Sequence, residues 1–219
     1  MLMLPSARTI ETPVHVTAPD ACDALQSDWR KALPVLAAEG VTLRALRASD
    51  ARTLFAMLTT EEVARFISPP PTTVDGFERF IAWTHRQQAD GRYLCFGIVP
   101  AGRTDAVGLI QVRALDRAFD LAEWGFAIGS AFWGTGMFQE SARAVLAFAF
   151  TELPVCRIEA RVVADNGRGI GALKKLGAGC EAVLRQSFCR NGARSDQLLW
   201  SIGREDWLFA HATWGGRVH

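Results

Sequence analysis

The sequence predicts a mixed α/β domain: a central, mostly antiparallel sheet flanked by helices. Two observations carry this expectation. Three strand-like segments, Tyr93 to Val99, Ala106 to Leu115 and Leu121 to Ile128, follow one another across short turn-like connectors, as an antiparallel meander does. Helical stretches with apolar residues three and four apart are inserted before and after them, without the regular alternation of a parallel doubly wound sheet. A chain of 219 residues, 49% apolar and 21% charged, has ample material for a buried core.

Residues 1–40 read as an N-terminal extension, with prolines at 5, 13, 19 and 34. Within it, Ala21, Leu25, Trp29 and Leu33 recur every four residues, the spacing of a short amphipathic helix whose apolar stripe needs a partner surface. That surface is either the main domain or a second copy of the chain, which would then form a homodimer. From Val41 to Leu46 apolar and polar residues alternate as in a half-buried strand. Ser49 or Asp50 then supplies an N-cap for a helix carrying Ala51, Leu54, Phe55 and Leu58. A second helical stretch spans Glu61 to Phe66 and stops before three prolines at 69–71, and a third runs from Val74 to Gln88.

After the meander, a glycine-bearing loop from Gly129 to Gly136 leads into a long helix ending near Leu153. Its buried face is marked by Phe138, Ala142, Val145, Leu146, Ala149 and Phe150. A strand (Cys156 to Val163), a helix (Arg168 to Leu176) and a strand (Glu181 to Phe188) follow. A turn at Arg190-Asn191-Gly192 and a last strand from Gln197 to Ile202 complete the domain. The domain limits read as 41–207, with 208–219 as a tail.

Charge and cysteines exclude several functions. Lys and Arg total 24 against 23 Asp and Glu, so a net charge of +1 argues against duplex nucleic acid or an acidic membrane surface as partner. The five cysteines are odd in number and scattered, with neither a Cys-x-x-Cys pair nor clustered histidines, so neither a metal site nor a disulfide framework is expected. No apolar run approaches the roughly 18 residues of a membrane span, and the start lacks a signal-peptide pattern. A cytoplasmic location is the expectation.

The chemistry concentrates between Ala127 and Ala142. A strand ends, Gly134-Thr135-Gly136 follows, and a long helix starts at once. Unpaired backbone N–H groups at the positive end of a helix dipole make a site for a phosphate, and glycine lets the backbone approach it. The dinucleotide fingerprint needs a third glycine where Gln139 stands, and the Lys of a P-loop is missing. An ordinary strand-to-helix turn would also use such glycines.

The surrounding residues decide between these readings. In order, they are Val41-Thr-Leu-Arg with Ser49-Asp50-Ala51, Ala122-Glu-Trp-Gly-Phe126, Phe132-Trp-Gly-Thr-Gly136 with Glu140, and Cys156-Arg-Ile-Glu-Ala-Arg-Val162. Asn166, Leu173-Lys-Lys-Leu-Gly177, Glu181-Ala-Val-Leu-Arg185, Asn191-Gly192, Asp196 and Asp206-Trp207 follow. This ordered set resembles the GNAT superfamily of N-acetyltransferases, and within it the RimJ/RimL-like ribosomal-protein-acetylating type. The resemblance covers about residues 41–207 and implies the GNAT fold, with a sheet splayed near the cofactor, and acetyl-CoA as cosubstrate without a metal. It implies direct transfer of acetyl to an amine in a ternary complex. The pyrophosphate loop of the family then falls on Trp133, Gly134, Thr135, Gly136, Met137 and Phe138, with Ala131 in place of the usual Gln or Arg. Backbone N–H groups of the fourth strand, at Phe126, Ala127 and Ile128, would polarise the acetyl carbonyl. Asn166, Gly169 and Leu173 fall on positions that face the cofactor, Leu173 standing where many members carry a tyrosine acid. The same loop would serve a non-catalytic acyl-CoA-binding module, or an enzyme using another acyl donor.

Acetylation requires the amine to lose a proton. Glu123, in Ala122-Glu-Trp-Gly-Phe126 on the strand flanking the acetyl group, is the first candidate base, though a cross-strand ion pair would equally place a glutamate there. Glu159 is the alternative, sharing a strand face with Arg157 and Arg161, where an ion-pair ladder explains it as well. His85 reads as a surface residue and Ser141 as helix packing. The sequence leaves the acceptor amine open.

Overall fold

The alternating and apolar segments become eight strands in a computed structural model that describes residues 28–212. They are β1 (Leu36–Ala38), β2 (Val41–Ala45), β3 (Tyr93–Pro100), β4 (Gly108–Ala114), β5 (Leu121–Ile128), β6 (Arg157–Val163), β7 (Gly179–Arg190) and β8 (Ala193–Gly203). One sheet contains them all in the order β1-β2-β3-β4-β5-β6-β8-β7. Every pairing is antiparallel except β5 with β6, which is parallel.

The helices are α1 (Ala51–Leu58), α2 (Glu61–Ala64), α3 (Val74–Ala89), α4 (Met137–Glu152), α5 (Gly167–Lys175) and α6 (Arg204–Ala212). They cover the sheet on both sides, and β3 shows why its sequence is apolar without alternation: all eight of its residues are buried. Leu94, Phe96 and Ile98 face α4, whose Ala142, Val145, Leu146 and Ala149 join them in the larger core. Tyr93, Cys95 and Val99 point the other way, onto Leu54 and Leu58 of α1 and Phe77 and Ile81 of α3. Thr73 caps α3, its hydroxyl accepting from the Gly76 N–H at 3.0 Å.

The sheet opens at one place. The β5–β6 ladder runs only from Leu121↔Arg157 to Glu123↔Glu159. Beyond it β5 stays with β4 as far as Ile128↔Gly108, and β6 stays with β8 as far as Val163↔Gln197. A wedge therefore opens between Phe126 on one side and Val162 on the other.

Several expectations change. Trp29 and Leu33 are buried, and Trp29 meets Phe119 edge-on at 5.9 Å. Residues 29–31 nevertheless form a turn rather than a helix, and Ala21 to Ser27 lie outside the described residues. The extension is tied in by Gln88, whose amide donates to the Trp29 carbonyl at 2.8 Å, and by β1, a three-residue edge strand too short to read from alternation. At the other end α6 runs past the 207 limit to Ala212, anchored by Trp207 against Phe150 at 6.1 Å.

The predicted N-cap is also different. Asp50 occupies the cap position of α1 but its side chain makes no cap bond. Its carboxylate instead takes a two-pronged bond from Arg44, at 2.8 and 2.9 Å, and N–H bonds from Arg47 and Ala106 at 2.7 and 3.0 Å. Arg44 also donates to the Thr104 carbonyl at 2.7 Å, so one fully buried carboxylate joins β2, the start of α1 and the connection leading into β4. Burial by itself would raise the Asp50 pKa. The bonds from Arg44, Arg47 and Ala106 outweigh it and hold the group below its ordinary 3.8. Asp50→Ala, which strands a buried guanidinium, is expected to cost about 3–5 kcal/mol of stability in chemical denaturation. Because the folded-state pKa is depressed, the carboxylate's contribution is present above pH 3.8 and is lost as pH falls below it. A melt series between pH 3 and 6 should show the variant losing less stability on acidification than the parent.

Candidate active site

The loop between β5 and α4 bends through two glycines in the left-handed region, Gly134 at φ 76° and Gly136 at φ 84°, a conformation that a side chain would strain. Gly136 is also the N-cap residue of α4. A Cβ built on either glycine meets nothing within 4 Å, so both face open space. The N–H groups of Gly134, Thr135, Gly136 and Phe138 have no hydrogen-bond partner among the described residues, and that of Met137 has only a long 3.4 Å contact with the Thr135 hydroxyl. Four donors at the start of a 16-residue helix suit an anion, the role that the sequence assigned to this loop.

These groups border a cavity of about 500 Å³ lined by the loop, the end of β5 and one side of α5, together with Phe66 and Ile67. Trp133 forms one wall. Its indole N–H donates to the Ile128 carbonyl at 3.1 Å, and the Arg168 guanidinium lies over its ring, 3.7 Å from the centroid. Arg168 and Lys175 bring positive charge to this cavity. Asn166 caps α5 by accepting from the Gly169 N–H at 2.9 Å. Gly169 stays small for a reason: a Cβ there would come within 2.7 Å of the Asn166 amide and 3.2 Å of Val162.

A second cavity of about 1000 Å³ lies on the other side of the wedge. Phe66, Ile67, Phe126, Ala127 and Asn166 border both cavities, so the two meet where β5 and β6 part. One wall of the larger cavity is apolar: Phe80 stacks on Trp83 at 6.1 Å and Trp83 meets Tyr93 edge-on at 4.9 Å. Its floor is the polar face of β3 to β6, with Tyr93, Gln111, Arg113, Glu123 and Arg161. Burial pushes the Tyr93 hydroxyl pKa far up, and that hydroxyl donates to Gln111. Tyr93 is thus a neutral hydrogen-bonding group on this floor. The opposite wall comes from β7, which bulges between Leu184 and Phe188 around Gln186 at φ 49°. Asp196 holds the bulge by accepting from the Gln186 N–H at 2.8 Å, which turns Ser187 and Phe188 toward the cavity. The hairpin tip at Asn191-Gly192 is the expected turn, and Arg190 beside it donates to the Ala64 carbonyl of α2.

Glu123 stands on the cavity floor, only 19% exposed, with one carboxylate oxygen accepting from Arg113 and the other from Arg161. A cross-strand ion pair and a place in the cavity are both realised. Glu159 bonds Arg157 at 3.1 Å, Arg157 in turn grips Glu181, and Glu159 borders neither cavity. The Arg157 network draws the Glu181 pKa down to about 2, chiefly through the Arg157 bond.

Of the residues read from the sequence as cofactor-facing, Phe126, Ala127, Ile128, Trp133, Gly134, Gly136, Phe138, Asn166 and Gly169 border the smaller cavity. Three do not. The Leu173 side chain is fully buried in the core, because its place on α5 faces α4 and the sheet. Met137 packs against the same core, and Thr135 turns outward with its hydroxyl on the Phe132 carbonyl at 2.8 Å. The sequence reading missed Arg168, Lys175, Phe66 and the two arginines beside Glu123. For Arg168 the signal was present, two residues after Asn166. For Phe66 there was none, since α2 reaches the site only through the tertiary fold. His85 lies away from both cavities, its ring nitrogen 2.8 Å from the Leu46 carbonyl. Ser141 is fully buried in α4.

Comparison with known proteins agrees with this architecture. The acetyltransferase (GNAT) domain family matches residues 41–179. An uncharacterized N-acetyltransferase, YoaA, of Bacillus subtilis strain 168 is 29% identical over 172 residues, covering 77% of this chain and 96% of that protein. A putative ribosomal N-acetyltransferase of the same organism, YdaF, is 25% identical over 174 residues, covering 77% of this chain and 94% of the relative. Among solved structures, RimL, a ribosomal L7/L12 alpha-N-protein acetyltransferase in complex with coenzyme A, superimposes with a TM-score of 0.72 over 79% of this chain and 99% of that one, at 15% identity. With the family match spanning more than half of its length and the splayed sheet in place, this chain belongs to the GNAT acetyltransferase family, with similarity to its RimJ/RimL-like members.

Proposed function

We propose that the protein transfers acetyl from acetyl-CoA to an amine, with the donor in the smaller cavity and the acceptor in the larger one. The observation that carries this reading is the junction of the two cavities at Phe126, Ala127 and Asn166, where β5 has lost its β6 partner. The residues fit the cofactor: the open N–H groups of the Gly134–Phe138 loop and the α4 dipole would take the pyrophosphate, with Arg168 and Lys175 adding charge. Arg168 supplies from α5 the cation that Ala131 does not offer. Bound there, the thioester supplies an activated acetyl carbonyl. The unpaired edge of β5 offers N–H groups to that carbonyl oxygen, in the manner of an oxyanion hole.

Glu123 is the proposed proton acceptor. A carboxylate has about four lone-pair positions, and the two guanidiniums occupy only two of them. The arginines fix its orientation while lone pairs remain toward the cavity. The amine nitrogen then forms a bond to the acetyl carbon, the carbon–sulfur bond breaks, and the amine proton passes to Glu123. Leu173, buried where a tyrosine acid is common, cannot protonate the departing sulfur, so water takes that part. A catalytic unit over 41–207 is completed on this reading by Trp29, β1 and α6. The exposed free thiols Cys156, Cys180 and Cys189 fit a reducing cytoplasm.

The direct test is thiol release from acetyl-CoA with and without a panel of amines. Amine-dependent release is expected. Tight acetyl-CoA binding with no release for any amine would instead make the chain an acyl-CoA-binding module, and faster release from a longer acyl-CoA would change the donor.

A further inference from the structure

The larger cavity carries a charge pattern that the net charge of the chain conceals. Its only charged lining residues among those described are Arg113, Glu123 and Arg161, two positive groups against one negative. Each guanidinium has five N–H donors in a planar fork, and each gives one bond to Glu123. Arg113 and Arg161 are 55% and 35% exposed, so their remaining donors are accessible from the cavity. Glu123 sits between them with lone pairs left over. The floor thus presents, side by side, a carboxylate for an ammonium or amine and guanidinium forks for a carboxylate. Beside it stand the apolar wall of Phe80 and Trp83 and, across the cavity, Phe188. Trp83 is 39% exposed, a large apolar surface left open at the cavity.

From this arrangement we infer that the acceptor is a zwitterionic amine: an amino group and a carboxylate a few bonds apart, on an aromatic or aliphatic body. The amine faces Glu123, the carboxylate takes the free donors of Arg113 and Arg161 in the fork geometry that guanidinium favours, and the body lies against Phe80 and Trp83. A polyamine fits poorly. Aromatic rings do attract cations, but each further ammonium would lie beside two guanidiniums with a single carboxylate to answer them. This inference rests on the larger cavity being the acceptor side. Two sources share its chemistry, a free α-amino acid and a peptide whose first residue is acidic.

Calorimetry of the full chain with coenzyme A present tests it, using phenylalanine, phenylalaninamide, aspartyl-phenylalaninamide and spermidine as probes. Phenylalanine or aspartyl-phenylalaninamide is expected to bind at least tenfold more tightly than phenylalaninamide, and spermidine more weakly still. Whichever of the two carboxylated probes binds better identifies the source. Arg113→Gln and Arg161→Gln, checked for unchanged melting, should each bring the affinity ratio of carboxylated to carboxylate-free probe toward one. Spermidine or phenylalaninamide binding as tightly as both carboxylated probes overturns the inference, as does a ratio untouched in both folded variants. Thiol release measured in parallel separates this from the transferase reading. Preferred carboxylate binding without transfer to any amine keeps the site and removes the activity. Rapid acetylation of spermidine, with neither carboxylated probe acetylated, does the reverse.

Discussion

Glu123→Gln is expected to slow acetyl transfer by about 10²–10⁴, the range that loss of a positioned general base produces. Gln keeps the shape and one acceptor oxygen but cannot take a proton at neutral pH. The change also leaves Arg113 and Arg161 without their shared counter-charge. For that reason the rate alone does not settle the role. If Glu123 accepts the proton, kcat falls while acetyl-CoA affinity stays within about twofold, since the loop and α5 hold the cofactor and the glutamate borders only the acceptor cavity. If Glu123 serves only to hold the arginines, KM for the acceptor changes instead and kcat is largely kept. Glu159 is a poor substitute, locked to Arg157 and away from both cavities. Unchanged kcat in Glu123→Gln would therefore move the proton to water.

The second large effect is expected at the loop. Gly136→Val and Gly134→Val should each weaken acetyl-CoA binding at least tenfold in calorimetry. Two causes act together. At φ 84° and 76° a β-branched residue is strained, so the loop N–H groups would re-orient. The new side chain would also stand in the open space each glycine faces. Losing one hydrogen bond to a charged phosphate is worth about 1.5–3 kcal/mol, or roughly ten- to 150-fold. Neither glycine packs against anything within 4 Å of an added Cβ, so the fold should survive and circular dichroism should be unchanged. Near-normal affinity in both folded variants would remove the loop from cofactor binding.

The residues that announced the fold did so through local physics. The meander was legible because β3, β4 and β5 are joined by short turns, and α4 because its apolar positions recur at helical spacing. The Gly134–Gly136 loop was legible because positive φ forces glycine into the sequence. Other features carried no local trace. Strand β1 is three residues long, too short for any periodicity. Asp50 looks like a helix cap in one dimension, and only the approach of Arg44 and Ala106 makes it a buried tie. Leu173 was placed by analogy of position, and its helical phase turned it into the core. The Arg113–Glu123–Arg161 cluster joins three strands, so neither its pairing nor its excess positive charge could be read from any one segment. That cluster is also what narrows the acceptor, which composition left open.

The position of the donor decides the assignment of both cavities, and a crystal structure with coenzyme A measures it most directly. The pyrophosphate should accept hydrogen bonds from the N–H groups of Gly134, Gly136 and Phe138 at about 2.7–3.2 Å. The pantetheine arm should run along the unpaired edge of β5, its sulfur reaching the cavity junction at Phe126 and Asn166. Coenzyme A bound elsewhere, or a β5–β6 gap closed by protein with the cofactor outside it, would contradict the assignment of both cavities.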